Sequence, residues 1–315
     1  MSNDGHADHR PGKNERRAAA RDKARQLREQ QRKRDRRNRF LIQGGIGVGI
    51  IAVLAVVAVI IVTSIRPPEP GPKNMASDGI LIGKGLKAVP TGSIAPGGKP
   101  VANTPDPAAG TVSIVTYVDY LCPFCGQFET TNAEQIGKLV KGGAATIEIH
   151  PVPFLSSHSA GTKYSLRATN AAACVANFEP DSFWAFNREL FAHQPSEEGP
   201  GLTDDQIKGY VKSSGVTATS KVDTCIDDAR FDTWAQDALD RALAGPIPNS
   251  DVKKLKGTPL VLVNGQEYKG SLKDASEFRA FVVKAQGDAY STSTPTPTPG
   301  ASGSPTATST PTPTK

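Results

Sequence analysis

Residues 78–288 read as an α/β domain, a sheet covered by helices with a helical insertion at about 157–247, and one transmembrane helix precedes it. Three observations carry this. An apolar, β-branched run, Val112 to Val118, leads directly into Cys122-Pro123-Phe124-Cys125 and then into a helical pattern. A second such run, Thr258 to Val263, is followed by Asn264-Gly265, a dipeptide that marks a tight hairpin turn. Phe40 to Ile65 holds no charged residue and is long enough to cross a bilayer with some tilt.

Taken in order, residues 1–39 are a basic tail with 14 Lys and Arg against 6 Asp and Glu. The whole chain carries +6, so everything after residue 39 nets −2, and the basic balance belongs to the tail alone. It is read as a topogenic flank that stays in the cytoplasm and sends the C-terminal part outside, not as a nucleic-acid-binding arm. The long flank and long apolar run, 40–65, favour an uncleaved anchor over a signal peptide. Residues 66–77, rich in Pro and Gly, are expected to form a stiff spacer. Residues 289–315 are Ser/Thr/Pro-rich with almost nothing to bury, and are expected to be disordered.

Inside the domain, Gly110 bounds the first strand, and Phe128, Ile136 and Leu139 recur at helical spacing after the motif. Ile147 and Ile149 alternate in a strand over Ala145 to Pro151. Helices are expected over Ser165–Ala176, Ser182–Phe191, Thr203–Lys212 and Thr233–Ala244. After the Asn264-Gly265 turn, Glu267 to Lys269 pairs back, and Asp274 to Ala285 closes the domain as a helix.

A C-x-x-C at a strand-to-helix junction sets the first sulfur over unpaired N–H groups and the positive end of the helix dipole, which stabilises a thiolate. The second sulfur, one turn on, is placed to close a disulfide. The rival is half of a zinc site, which wants a second close pair; Cys174 and Cys225 are far apart in sequence.

Three segments together resemble the thioredoxin superfamily, and within it the DsbA-like disulfide oxidoreductases in their membrane-anchored bacterial form. They are Tyr117-Val118-Asp119-Tyr120-Leu121-Cys122-Pro123-Phe124-Cys125, then Phe183-Trp184-Ala185-Phe186 with Leu190-Phe191-Ala192-His193-Gln194, and Gly257-Thr258-Pro259 with Val263-Asn264-Gly265. The resemblance implies a thioredoxin fold, with Cys122 as exposed nucleophile and Cys125 as buried resolving thiol. It also implies a cis-proline, Pro259, whose preceding residue Thr258 pairs with an extended substrate and contacts the sulfurs. The activity implied is insertion of disulfides into exported, reduced proteins. A quinone-linked membrane oxidase of the DsbB or vitamin-K-epoxide-reductase type recycles the dithiol, and no cofactor is needed beyond the cysteine pair. Pro123 suits a first helical turn, and Phe124 offers an apolar surface beside the sulfur. Two departures stand out. Thr116 occupies the position of the family's buried acid, leaving Asp119 as the nearest carboxylate, and Pro-Phe replaces the His that many oxidising relatives carry between the cysteines. Cys174 and Cys225, outside the cytoplasm, are read as a structural disulfide, with a second redox pair that relays electrons as the rival. The rivals are a reductase or isomerase of the same fold, and a non-catalytic metal- or protein-binding module.

Overall fold

The computed structural model describes residues 21–37, 53–55, 69–104 and 110–293, the last of these (289–293) by backbone alone. The chain divides into two units, Met1–Pro67 and Pro68–Lys315. In the first, residues 21–37 form an exposed helix, α1. Among the described residues no helix is long and apolar enough to cross a membrane; the run 40–65, apart from 53–55, lies outside them, as do residues 294–315.

The second unit is built on a six-stranded sheet in the order β2-β1-β4-β3-β5-β6. The central pair is parallel: β3 (Val112–Val118) lies beside β4 (Ala145–Pro151), with Ile114 opposite Ile147 and Tyr117 opposite His150. The connection between them is α2 (Pro123–Gly142), which carries the chain back across the sheet as parallel pairing requires. On one side β5 (Leu260–Val263) runs antiparallel to β3, and β6 (Gln266–Glu267) folds back on it through Asn264 and Gly265. Both turn residues have positive φ, 48° and 80°, as a primed hairpin turn demands. On the other side β1 (Ile80–Gly83) pairs with β4 and with β2 (Lys87–Ala88).

Alternation along the strands gives the sheet two apolar faces. Ile114, Val118, Ile147, Val261 and Val263 meet Phe128 and Ile136 of α2 and Phe278 and Val282 of α8 (Ala275–Ser293). Tyr117, Leu260 and Leu262 meet Leu239 and Ala242 of α7 (Asp232–Ala244). The insertion comprises α3 (Tyr164–Phe178), α4 (Phe183–Ala192), α5 (Asp204–Ser213), α6 (Thr219–Asp227) and α7. Ala168, Ala171, Ala172, Ala173 and Ala176 of α3 are fully buried, their small side chains letting the other helices approach closely.

Two expected boundaries move. The spacer 66–77 ends early, because Met75 is fully buried and the Gly71 N–H donates to the Ile94 carbonyl at 2.8 Å, which makes residues 71–77 part of the domain. At the other end α8 continues to Ser293, past the expected limit at 288.

Candidate active site

At the C-terminal end of β3 the chain turns through Asp119, Tyr120 and Leu121, all fully buried, and starts α2 with Cys122 as N-cap and Pro123 in the first turn. The turn is fastened from three directions. The Asp119 carboxylate accepts 2.7 Å hydrogen bonds from the Leu121 N–H and the Ser165 hydroxyl on one oxygen, and from the Leu155 N–H on the other. The Tyr120 hydroxyl donates to Asn187 Oδ1 of α4 at 3.1 Å, and its ring lies 5.1 Å from that of Phe191. Gln194 donates from Nε2 to the carbonyls of Tyr120 and Cys122, at 3.1 and 2.9 Å. Gly126 is what admits Gln194, since a Cβ there would collide with its Oε1.

Both cysteines of the motif are free thiols. Cys122 is 4% exposed and Cys125 fully buried, so the nucleophile is less open than the sequence suggests, with the Thr258–Pro259 loop against it. The exposed group is Phe124, at 59%. The Thr258–Pro259 peptide bond is cis, and the Cys122 thiol donates to the Thr258 carbonyl at 3.2 Å. Cys125 Sγ accepts from the Asp119 N–H at 3.5 Å.

The two sulfurs are driven apart in acidity. Hydrogen bonding from Cys125, opposed by burial and aided by Thr258 and the N–H groups of Cys125 and Phe124, lowers Cys122 to about 6. Burial, and then the neighbouring Cys122 sulfur, pushes Cys125 well above the ordinary thiol value. Asp119 is raised to about 6 by burial, against its hydrogen bonds from Leu155, Leu121 and Ser165. One turn beyond Cys125 on α2, Glu129 is also buried and raised to about 7 by desolvation. Such an arrangement suits thiol–disulfide exchange: an ionised attacking or leaving sulfur at the surface side, and a protonated partner behind it.

The structure therefore gathers Cys122, Cys125, Asp119, Pro123, Phe124, Thr258 and Pro259 into one site. Asp119 is fully buried, not facing solvent, while Thr116 is buried with its hydroxyl lacking a hydrogen-bond partner among the described residues. Cys174 and Cys225 lie apart, bonded to each other and joining α3 to α6. Of the histidines, His150 is buried 3.1 Å from Glu148, and His193 stacks on Tyr210. Among the described residues no group of three or more His, Cys, Asp or Glu is placed to hold a metal ion. Sequence reasoning missed Gln194, Ser165, Asn187 and Glu129 as site supports. Only Gln194 lies within one of the segments that carry the family resemblance, and a glutamine carries no signal of its role before its partners are known.

The thioredoxin family model matches residues 106–284. Disulfide bond formation protein D of Bacillus subtilis is 30% identical over 131 residues, 40% of this chain and 55% of that protein. The probable disulfide bond formation protein D of Bacillus cereus is 24% identical over 155 residues, 49% of this chain and 66% of that one. The chain thus spans between about half and two thirds of these two relatives. The crystal structure of reduced DsbA from Mycobacterium tuberculosis aligns at 25% identity with a TM-score of 0.48, covering 69% of this chain and all of that one.

Proposed function

The chain belongs to the thioredoxin family, and from that premise we propose that it is a membrane-anchored, extracytoplasmic thiol:disulfide oxidoreductase that introduces disulfides into exported proteins. The observation that carries this reading is the split between the two sulfurs, with Cys122 lowered to about 6 and Cys125 raised. A stabilised Cys122 thiolate favours the dithiol form, and a protein whose reduced form is favoured hands its disulfide on.

A substrate thiolate attacks Cys122 Sγ of the disulfide; the substrate–Cys122 bond forms, the Cys122–Cys125 bond breaks, and Cys125 leaves as thiolate and takes up a proton. A second substrate thiolate then attacks the substrate sulfur of the mixed disulfide, releasing the Cys122 thiolate. Two electrons have passed from substrate to protein. Cys125, buried and receiving the Asp119 N–H, is stabilised as it leaves. Phe124 supplies an apolar contact for an unfolded chain beside the sulfur.

No dissociable cofactor enters, because the cysteine pair carries the electrons. Reoxidation falls to a quinone-linked membrane oxidase of the DsbB or vitamin-K-epoxide-reductase type. The anchor is the uncharged run 40–65, and the basic residues before it place the N-terminus in the cytoplasm. The test is the reduction potential of the full-length chain in glutathione buffers. A value near about −120 mV supports a disulfide donor, and one near about −270 mV makes the protein a reductase and sinks the reading.

A further inference from the structure

We infer that the groove beside the redox centre selects extended polypeptide segments rich in Asp and Glu, and that Lys253, Lys254 and Lys256 set this preference. The inference rests on the disulfide-donor reading of Cys122 and Cys125 and names its substrate class.

The groove holds about 1200 Å³. One wall is the loop from Asp251 to Pro259, the other the hairpin residues Gly265 to Glu267 with Lys269. Thr258 and Pro259 line it, and the Thr258 carbonyl touches Cys122 Sγ, so one end of the groove lies a single residue from the reacting sulfur. Its far wall is β6, the last strand of the sheet, with Gln266 and Glu267 exposed and paired to β5 alone. A chain disulfide-bonded to Cys122 and lying extended past Thr258 therefore enters the groove with its next few residues, at roughly 3.3 Å for each.

What those residues meet is positive charge. Lys253, Lys254 and Lys256 are exposed, and none makes an ion pair among the described residues. The other cation of the groove, Lys269, is paired with Glu267 at 3.3 Å, which leaves Asp251 as the remaining acid against three free ammonium groups. The excess is local, because the chain after residue 39 is net negative. Concave surfaces lined by one sign of charge concentrate ligands of the other sign and speed their arrival. The chemistry of the substrate adds a second reason. Carboxylates flanking a cysteine raise its pKa and deplete its thiolate, and ammonium groups facing them reverse that effect.

The experiment uses two dithiol peptides that differ only in the residues two to five beyond the first cysteine, Asp and Glu in one, Asn and Gln in the other. Oxidised full-length protein is assayed with each, and the readout is the ratio of their kcat/KM values. At about 20 mM salt the ratio favours the acidic peptide by about tenfold, and about 0.5 M salt brings it towards one by screening. The triple substitution Lys253→Gln, Lys254→Gln, Lys256→Gln brings the ratio to about one at low salt, and the corresponding triple Arg variant retains it. A ratio near one in the unaltered protein at low salt, with both peptides oxidised, overturns the inference and leaves the disulfide-donor reading standing. A ratio that survives the Gln substitutions overturns the assignment to these lysines. If neither peptide is oxidised, the donor reading falls first. The salt dependence of the unaltered protein tests the inference even if the variants fail to fold.

Discussion

Replacing Thr258 by Val removes one hydroxyl next to Cys122 while keeping the shape of the side chain and the carbonyl that faces the sulfur. The Thr258 side chain is one of the groups that lower Cys122 to about 6. A hydrogen bond to a charged group is worth about 1.5–3 kcal/mol. At about 1.4 kcal/mol per pH unit, its loss raises the Cys122 midpoint by about one to two units, to between about 7 and 8. At pH 7 the thiolate population then falls from about 90% to between about 50% and 10%. Alkylation of reduced protein by iodoacetamide at pH 7 slows by about two- to tenfold. The reduction potential falls by up to about 30 mV, since a tenfold change in a two-electron couple is worth that much. Thr258→Ser, which keeps the hydroxyl, restores both. The sign also fixes a stability effect. Folding depresses the Cys122 pKa, so its contribution to the reduced fold is complete above the unfolded value of about 9 and is lost as pH falls through about 6. The assay is the pH profile of alkylation rate. A Thr258→Val midpoint within about 0.3 of the unaltered one refutes the hydrogen-bond argument, since the same sulfur would then be held down by other groups.

Three further outcomes are expected. Gly126→Ala pushes Gln194 off the carbonyls of Tyr120 and Cys122 and costs about 1–3 kcal/mol in urea unfolding; adding Gln194→Ala costs little more, and full additivity of the two changes counts against the strap. Glu129 is raised from 4.5 to about 7, so its burial is tolerated below about 4.5 and grows costly as pH rises from there through about 7. Glu129→Gln therefore matches the unaltered protein near pH 4 and exceeds it near pH 8, by up to about 3 kcal/mol, measured from urea midpoints at the two pH values. Joint replacement of Cys174 and Cys225 by Ala opens a loop with a sequence separation of 51 and lowers stability by about 4 kcal/mol, with peptide oxidation by the remaining pair retained.

Strong local signals were legible in the sequence. β3 coincides with the apolar run Val112 to Val118, and the hairpin falls at Asn264-Gly265, because an unbroken β-branched run and an Asn-Gly pair each leave the backbone few alternatives. Four helices of the insertion matched their periodic patterns to within a few residues. β1 and β2 were missed: they are four and two residues long, β1 exists because β4 offers an edge to pair with, and β2 only because β1 does. α6 falls inside the expected helical insertion but was not delimited on its own, since Val222, Cys225 and Ile226 are its only buried positions, and its place is set by the bond from Cys225 to Cys174. In the site, the cysteines and Thr258-Pro259 announce themselves by residue type and order. Asp119 was legible only as the nearest acid, and Gln194 and Ser165 not at all, because their roles depend on partners far away in the chain that only folding brings within 3 Å or so.

The packing of residues 71–78 determines where the chain can be cut without unfolding the domain. Asp78 grips Arg241 of α7 with two 2.7 Å hydrogen bonds, Asn74 donates to the Ala176 carbonyl at the end of α3, and Gly71 lies against the indole of Trp234. A cut before residue 69 releases a domain with every one of these contacts intact. A cut after Met75 removes a fully buried side chain and leaves a cavity, at about 2–5 kcal/mol. Cleavage in the exposed stretch around Glu69 and Pro70 thus leaves the folded domain whole, whereas cleavage a few residues later destabilises it.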